Sequence, residues 1–338
     1  MGIAGYGLAG RVFHAPLVDS VDGLELAGIV TGNPERAADA ASAYPQAEVV
    51  DSVESLWRRI DLLVIATPNS AHVPLALAAV EQGVPVVVDK PLAVSAADAE
   101  RVVEAAESAG VPLTVFQNRR FDGDFLTLAK LLPELGDVTR FESRFERFRP
   151  QVKDGAWREA GDSAVGGGLL LDLGAHLVDQ ARELFGPPVR LYAELDVRRA
   201  GAQVEDDVFI ALEHGGRERS HLWMSSVAPL YGPRFRVSGT RAGFSVDGLD
   251  PQEDQLSNGL RPGDERYGVG APGALVDGDG GREVQLERGA YERFYSAVVT
   301  WLGDGAPPPV DPRDSVAVLH LLEAARTSAA TRSVVELE

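Results

Sequence analysis

The sequence predicts an α/β protein: a doubly wound parallel sheet, followed by an α+β domain built on a large, open, mainly antiparallel sheet. Three observations predict it. A glycine cluster, Gly5-Tyr6-Gly7-Leu8-Ala9-Gly10, follows a short apolar segment and opens a helical stretch. Short apolar runs then alternate with helical patterns as far as residue 118, the rhythm of βαβ units. Beyond that point longer strand-like runs take over, joined by turns bearing glycine and proline. The expected domains are 1–118 and 119–338, with C-terminal helices that pack back on the first.

Residues 2–4 form the first strand, and the glycine cluster has the pattern G-x-G-x-x-G. Gly5 permits the tight strand-to-helix turn, Gly7 lets backbone N–H groups approach a pyrophosphate, and Gly10 lets helix and strand pack closely. Tyr6, Leu8 and Ala9 complete the loop, and the helix N-terminus faces the anion. The pattern has the context it needs, because 24–30 reads as a second strand and 61–66 as a later one. It therefore marks a Rossmann dinucleotide-binding domain. Only Met1 precedes Gly2, so the first strand is shorter than the usual length of about five or six residues, and the true start is expected upstream. Pro16 lacks an N–H and should bend or restart the first helix.

The second strand ends in Thr31-Gly32-Asn33-Pro34-Glu35-Arg36, where an NAD-preferring site usually has an acid for the ribose hydroxyls. That acid is missing. Thr31 and Asn33 are neutral donors suited to a 2′-phosphate and Arg36 adds charge, blunted by Glu35, so NADP is expected over NAD. A capping turn, with Asn33 before Pro34 at the first helical position, explains the same residues. After the strand 61–66, Thr67, Pro68, Asn69 and His72 should line the cofactor crevice, although Pro68 and Asn69 also read as a helix start. Then come a helix over 71–82 closed by Gly83, a strand over 84–88, an alanine-rich helix over 95–108 ended by Gly110, and a strand over 112–116.

A helix near 124–132 opens the second part, with strand-like runs around 138–149, 189–199, 205–213, 217–227 and 233–247. Helices are expected at about 169–185, 290–303 and 312–330. The segment 250–281, rich in Gly, Pro and Asp, reads as a long loop. An open sheet with one uncovered face needs a partner, so a homo-oligomer, dimer or tetramer, is expected through it.

Composition narrows the function. The formal charge of −19 repels phosphate backbones and anionic lipid headgroups, so neither nucleic acid nor membrane is an expected partner. With no cysteine, disulfides and thiolate metal sites are excluded, and no metal is expected. No apolar run approaches a membrane span, which makes the cytoplasm the expected location.

Of the 32 Lys and Arg residues, only three are lysines, at 90, 130 and 153. An ammonium can be tuned to exchange a proton where a guanidinium cannot. Lys90 also sits in Asp89-Lys90-Pro91, just past the apolar run 86–88, where strand carboxyl ends of an α/β sheet carry their ligands. A lysine that merely escaped the drift to arginine is the bland alternative. In the second part, the triple glycine 166–168 precedes a largely apolar helix bearing Asp172, His176 and Asp179. Asp172 and His176, four residues apart, emerge on one face. An imidazole there can take the hydroxyl proton of an alcohol whose carbon gives up hydride, while a carboxylate holds its tautomer. A buried histidine satisfied by its own Asp is the competing reading. Asn118 and Arg119, after the strand 112–116, are placed as substrate-hydroxyl donors, and Trp157-Arg158 as residues closing over a ligand; an ion pair for Arg119 and a surface anchor for Trp157 are the alternatives.

Together, Gly5-x-Gly7-x-x-Gly10, Asp89-Lys90-Pro91 and Gly167-Gly168 with Asp172-x-x-x-His176 resemble the glucose–fructose oxidoreductase/inositol dehydrogenase/rhizopine catabolism (Gfo/Idh/MocA) family over essentially the whole chain. The resemblance implies an N-terminal Rossmann domain, a C-terminal α/β domain whose open sheet mediates oligomerisation, and NAD or NADP used on sugars or cyclic polyols. It makes Lys90 the lysine bridging nicotinamide and substrate hydroxyl, Asp172 a substrate-binding acid and His176 the proton-transferring histidine. The chain departs from the family in having Asp89 where Glu is usual. Phe13-His14-Ala15-Pro16-Leu17, Asn118-Arg119-Arg120-Phe121-Asp122, Arg147-Phe148-Arg149-Pro150 and Gly232-Pro233-Arg234-Phe235 are similar to stretches of an NADP-dependent scyllo-inositol dehydrogenase branch. The expectation is hydride transfer between a nicotinamide coenzyme and a secondary alcohol or ketone of a cyclic polyol or sugar. An aldose dehydrogenase of the same family and a non-catalytic sugar- and nucleotide-sensing regulator are the alternatives.

Overall fold

The computed structural model describes residues 1–152 and 166–337; Trp157 and Arg158 lie outside them. The chain forms two compact units. The first comprises Met1–Phe121, Pro251–Gly268 and Ala290–Val316, and the second Asp122–Asp250, Val269–Gly289 and Ala317–Glu338.

Six strands make the sheet of the first unit: β1 (Gly2–Ala4), β2 (Gly28–Val30), β3 (Glu48–Val50), β4 (Leu63–Ile65), β5 (Val86–Asp89) and β6 (Leu113–Phe116). All pairs are parallel, in the order β3-β2-β1-β4-β5-β6, which is the dinucleotide-binding order that reverses direction beside β1. The central strands β1 and β4 are buried on both faces, so their residues are uniformly apolar instead of alternating. Helix ends follow local chemistry. Ser95 caps the helix Ala96–Ala109 by accepting from the Asp98 N–H at 3.2 Å, and Gly110 ends it in the left-handed region at φ 64°. Pro16 acts as expected: residues Ala9–His14 wind as a π-helical turn, with the Ala15 N–H on the Gly10 carbonyl, before an α-helix resumes over Ala15–Asp19.

The core of this unit joins Ile3, Ile29 and Val64 from the sheet to an aromatic group of Phe116, Tyr291, Phe294 and Tyr295. Phe116 and Phe294 meet edge to face, with ring centroids 4.9 Å apart. Tyr291 through Tyr295 are thus far in sequence from the sheet they complete.

Among the described residues, the second unit holds nine strands in the order β14-β13-β12-β11-β7-β10-β9-β8-β15: β7 (Val138–Glu146), β8 (Pro188–Asp196), β9 (Asp207–His214), β10 (Arg219–Ser225), β11 (Phe235–Gly239), β12 (Ala242–Val246), β13 (Gly273–Asp277), β14 (Gly281–Val284) and β15 (Val335–Glu336). Only β7 and β10 pair in parallel; the other pairs are antiparallel. Strands β9 and β10 alternate, burying Val208, Ile210, Leu212, Leu222 and Met224 and turning Phe209, His221 and Trp223 to the other face.

Two sequence expectations are corrected. The run 233–247 is a hairpin, β11 and β12, and 250–281 is not a plain loop: it holds the helix Gln252–Ser257, and β13 and β14 form a second hairpin. Its turn is built by Asp277, whose carboxylate accepts the N–H groups of Asp279 and Gly280, a turn chemistry that the Asp/Gly composition disguised as loop.

Candidate active site

In the first unit the glycine loop is shaped by close backbone contacts. Gly5 has φ 99°, and a Cβ there would lie 2.6 Å from the Ala66 carbonyl oxygen; a Cβ at Gly10 would run into the Gly5 carbonyl oxygen. Gly7 is different. Among the described residues other than its chain neighbours, the one atom within 4 Å of its Cβ position is a guanidinium nitrogen of Arg36, 3.8 Å away. Open space flanked by an arginine beside a helix start suits a phosphate, so the loop fits the coenzyme that its pattern implies. Tyr6 is buried, while Leu8 is half exposed at 50 %. Asn33 accepts the Arg36 N–H at 2.9 Å and caps the helix Pro34–Ala43. The capping role is therefore real, and it also brings Arg36 back toward the glycine loop. Thr31 follows β2 directly, its N–H bonded to the Val50 carbonyl.

Past β4, the Thr67 hydroxyl oxygen is buried with no hydrogen-bond partner among the described residues, an open polar position of the kind a ligand completes. Pro68 precedes a short 3-10 turn, Asn69–Ala71, that starts the next helix. His72, buried at its head, places Nε2 3.0 Å from the Thr67 carbonyl oxygen and Nδ1 2.8 Å from that of Pro91. It staples the segment after β4 to the segment after β5. Both partners are acceptors, so a ring with one N–H serves one of them at a time, and the doubly protonated ring serves both.

Lys90 follows β5, next to Pro91 across a cis peptide. The Asp89 carboxylate accepts the backbone N–H of Lys90 at 3.0 Å. Burial pushes the Asp89 carboxyl up, but the facing imidazole of His14, with Lys90 and His72 nearby, outweighs it, leaving the group below its ordinary range. Asn118 and Arg119 are buried in a 3-10 turn just after β6. Arg119 donates to Glu253 at 3.0 Å, so this guanidinium makes the ion pair that was its alternative reading.

In the second unit, Asp172 lies in a π-helical turn, Leu170–Gly174, that runs into the α-helix Ala175–Phe185 carrying His176 and Asp179. Both are buried, at 4 % and 1 % exposure, whereas Asp172 is intermediate. Gly168 has φ 100°, and a Cβ there would collide with the Glu205 carboxylate, so the glycine run lets the chain pass this acid into the helix. Deeper in the helix, Gln180 accepts from Arg234 at 2.7 Å, and Arg234 also donates to the Ser143 hydroxyl. Its guanidinium lies 3.6 Å from Asp124 and over the Phe235 ring. This network ties the His176 helix to β7 and β11. Lys90 belongs to the first unit, and Asp172 and His176 to the second.

Two family descriptions match the chain: the NAD-binding Rossmann fold of the Gfo/Idh/MocA oxidoreductase family over residues 1–117, and its C-terminal alpha/beta domain over 130–337. The chain belongs to the Gfo/Idh/MocA oxidoreductase family. Among Gfo/Idh/MocA relatives, it is 34 % identical to the scyllo-inositol 2-dehydrogenase (NADP(+)) IolW of Bacillus subtilis, covering 100 % of this chain and 96 % of that one. It is 28 % identical to D-xylose 1-dehydrogenase (NADP(+)) 2 of Haloferax volcanii, covering 100 % and 98 %. The solved structure of yvaA from Bacillus subtilis superposes with a TM-score of 0.93 at 33 % identity, covering 100 % and 97 %. This Gfo/Idh/MocA member is thus an NAD(P)-dependent dehydrogenase. Two residues near Asp89, His14 and Tyr295, carry no motif that the sequence alone assigns a role. His14 belongs to a stretch noted only for its likeness to one branch, and Tyr295 lies in a helix of ordinary composition.

Proposed function

We propose that the chain is an NADP-preferring dehydrogenase acting on a secondary alcohol of a cyclic polyol of the inositol type. The observation that carries the coenzyme preference is Arg36 at the open side of Gly7, with no acid at the end of β2. Full-length similarity to an NADP-dependent scyllo-inositol dehydrogenase supports the substrate class.

Gly5, Gly7 and Gly10 would hold the pyrophosphate, Thr31, Asn33 and Arg36 the 2′-phosphate, and Thr67 and Asn69 the adjoining ribose region, with His72 fixing the Thr67 segment from behind. When bound, the coenzyme supplies hydride acceptance or donation. The chain's own side chains do the rest. Asp172 and Asn118 accept and donate to ring hydroxyls, fixing which carbon is presented; His176 takes the hydroxyl proton of that carbon, and the Lys90 ammonium holds the same oxygen as its charge develops. Arg119 acts on substrate only through what its pairing with Glu253 leaves available. The outward face of the second sheet, where Arg144 lies 3.9 Å over Trp223 beside Phe209 and His221, is the surface through which copies would associate.

The test is NADPH formation across scyllo-inositol, myo-inositol and a set of aldoses, with NAD in parallel. Turnover of an inositol with NADP supports the proposal; turnover confined to an aldose anomeric carbon supports the second reading, favoured by the similarity to a D-xylose dehydrogenase.

A further inference from the structure

The Asp89-Lys90-Pro91 segment is backed by a buried chain of side chains that the proposed mechanism does not use. His14 is fully buried, and its Nδ1 lies 2.6 Å from the Tyr295 hydroxyl. Tyr295 is also fully buried, and burial, reinforced by the charge of Asp89, holds its phenol well above the ordinary range. It therefore stays a neutral O–H, and His14 is its only hydrogen-bond partner among the described residues. A buried hydroxyl proton needs an acceptor, so Tyr295 donates to Nδ1. That sets the tautomer: the ring proton sits on Nε2, which points at the Asp89 carboxylate with Nε2 3.8 Å from Oδ1. The same Oδ1 accepts the Lys90 backbone N–H.

The imidazole has little freedom to move. Its centroid is 4.6 Å from that of Phe116 and 6.1 Å from that of Tyr295, and Phe116 is packed in turn by Phe294 and Tyr295. The charged and titratable groups around Asp89 are His14 from the helical segment after the glycine loop, Tyr295 from the helix Glu292–Asp304, His72 from the helix His72–Glu81, and Lys90 beside it.

We propose that His14, its tautomer set by Tyr295, is the positioning residue for Lys90, and that it is matched to an aspartate at position 89: the imidazole occupies the space a glutamate would need and holds the shorter carboxylate against the lysine's backbone. This rests on Lys90 acting in the reaction, as proposed above. A glutamate is longer by one methylene, about 1.5 Å of C–C bond, and would press its carboxyl into a ring that the aromatic core does not let retreat.

The test compares full-length wild type with His14→Phe, which keeps a ring against Phe116 but removes the donor, and with His14→Gln, which restores an N–H donor. His14→Phe is expected to lower kcat roughly 10- to 100-fold, with the KM for polyol and the affinity for NADP little changed, and His14→Gln to recover most of the loss. If His14→Phe fails to fold, Tyr295→Phe, which deletes one oxygen, is expected to show the same pattern more weakly. A readout independent of turnover uses the rarity of lysine: with ¹³C-lysine, the Lys90 resonance moves in His14→Phe and Tyr295→Phe while those of Lys130 and Lys153 stay. Asp89→Glu should be damaging alone and less damaging in a His14→Ala background. An unmoved Lys90 resonance with kcat within about twofold of wild type overturns the relay. A Lys90→Met protein that turns over normally instead overturns the role given to Lys90, and the resonance measurement still judges the relay.

Discussion

Strands of the parallel sheet run for three or four residues and are buried on both faces at its centre, whereas β7 to β10 of the open sheet run for seven to nine and alternate between buried and partly exposed positions. The difference decides where chemistry can reside. In the first sheet the central strands leave no free face, so the candidate groups stand on the segments just past carboxyl ends: the glycine loop after β1, Thr67 after β4, Lys90 after β5. In the second sheet, among the described residues, one face is buried and the other partly exposed, and the candidate groups ride on a helix anchored to the strands by Arg234. One site is shaped by backbone contacts, the other by a buried polar network.

The largest effect should come from breaking that network. Arg234→Met removes the guanidinium shared by Ser143, Gln180 and Asp124 and should cost about 3–5 kcal/mol, the usual penalty for removing one partner of a buried ion pair. Chemical unfolding measures it, and a loss below about 1 kcal/mol would mean the His176 helix is held by apolar packing alone. For the first site the corresponding change is Gly10→Val. Its side chain meets the Gly5 carbonyl, and a displacement worth about 3 kcal/mol should weaken NADP binding roughly 100-fold in a calorimetric titration; near-normal affinity would show that the loop tolerates a side chain after all. Arg36→Ala should shift the ratio of NADP to NAD affinity by about tenfold toward NAD, and an unchanged ratio would remove Arg36 from the 2′-phosphate site.

The smallest effect concerns pH. Burial lowers the pKa of His214 in the second unit, opposed by its bond to the Gly186 carbonyl. Because the folded value lies below the unfolded one, the unfolded chain binds more protons on acidification. The contribution is intact above the ordinary histidine value and is lost as pH falls from there through the depressed one, with a slope of at most about 1.4 kcal/mol per pH unit. Asp89, also lowered, contributes above the ordinary aspartate value and loses its contribution only as pH falls further, through its own depressed value. Melting followed between neutral and mildly acid pH should therefore show a decline that His214→Gln flattens; an unchanged slope would assign the decline to other groups.

The same contrast explains what could be read in advance. Ser95 and Gly110 bracket a helix with local capping chemistry, and the alternation of β9 and β10 is visible residue by residue. Strand β3, three residues long, offers no period to detect, and the hairpin of β13 and β14 was hidden because its turn and its strands share one Gly- and Asp-rich composition. Candidate groups stood out through motifs: the glycine loop and Asp89-Lys90-Pro91 at strand ends, and the Asp172 and His176 pair on a helix. His14 and Tyr295 were not, since 281 residues separate them and their bond exists only once the core has formed.

The most direct test of the account is single-turnover hydride transfer from an inositol to NADP in wild type, Lys90→Met and His176→Ala, with coenzyme affinity measured alongside. The account predicts that both variants bind NADP as wild type does and transfer hydride roughly 10²- to 10⁴-fold more slowly, the range for loss of a proton-transferring group. Either variant transferring hydride at the wild-type rate would contradict it.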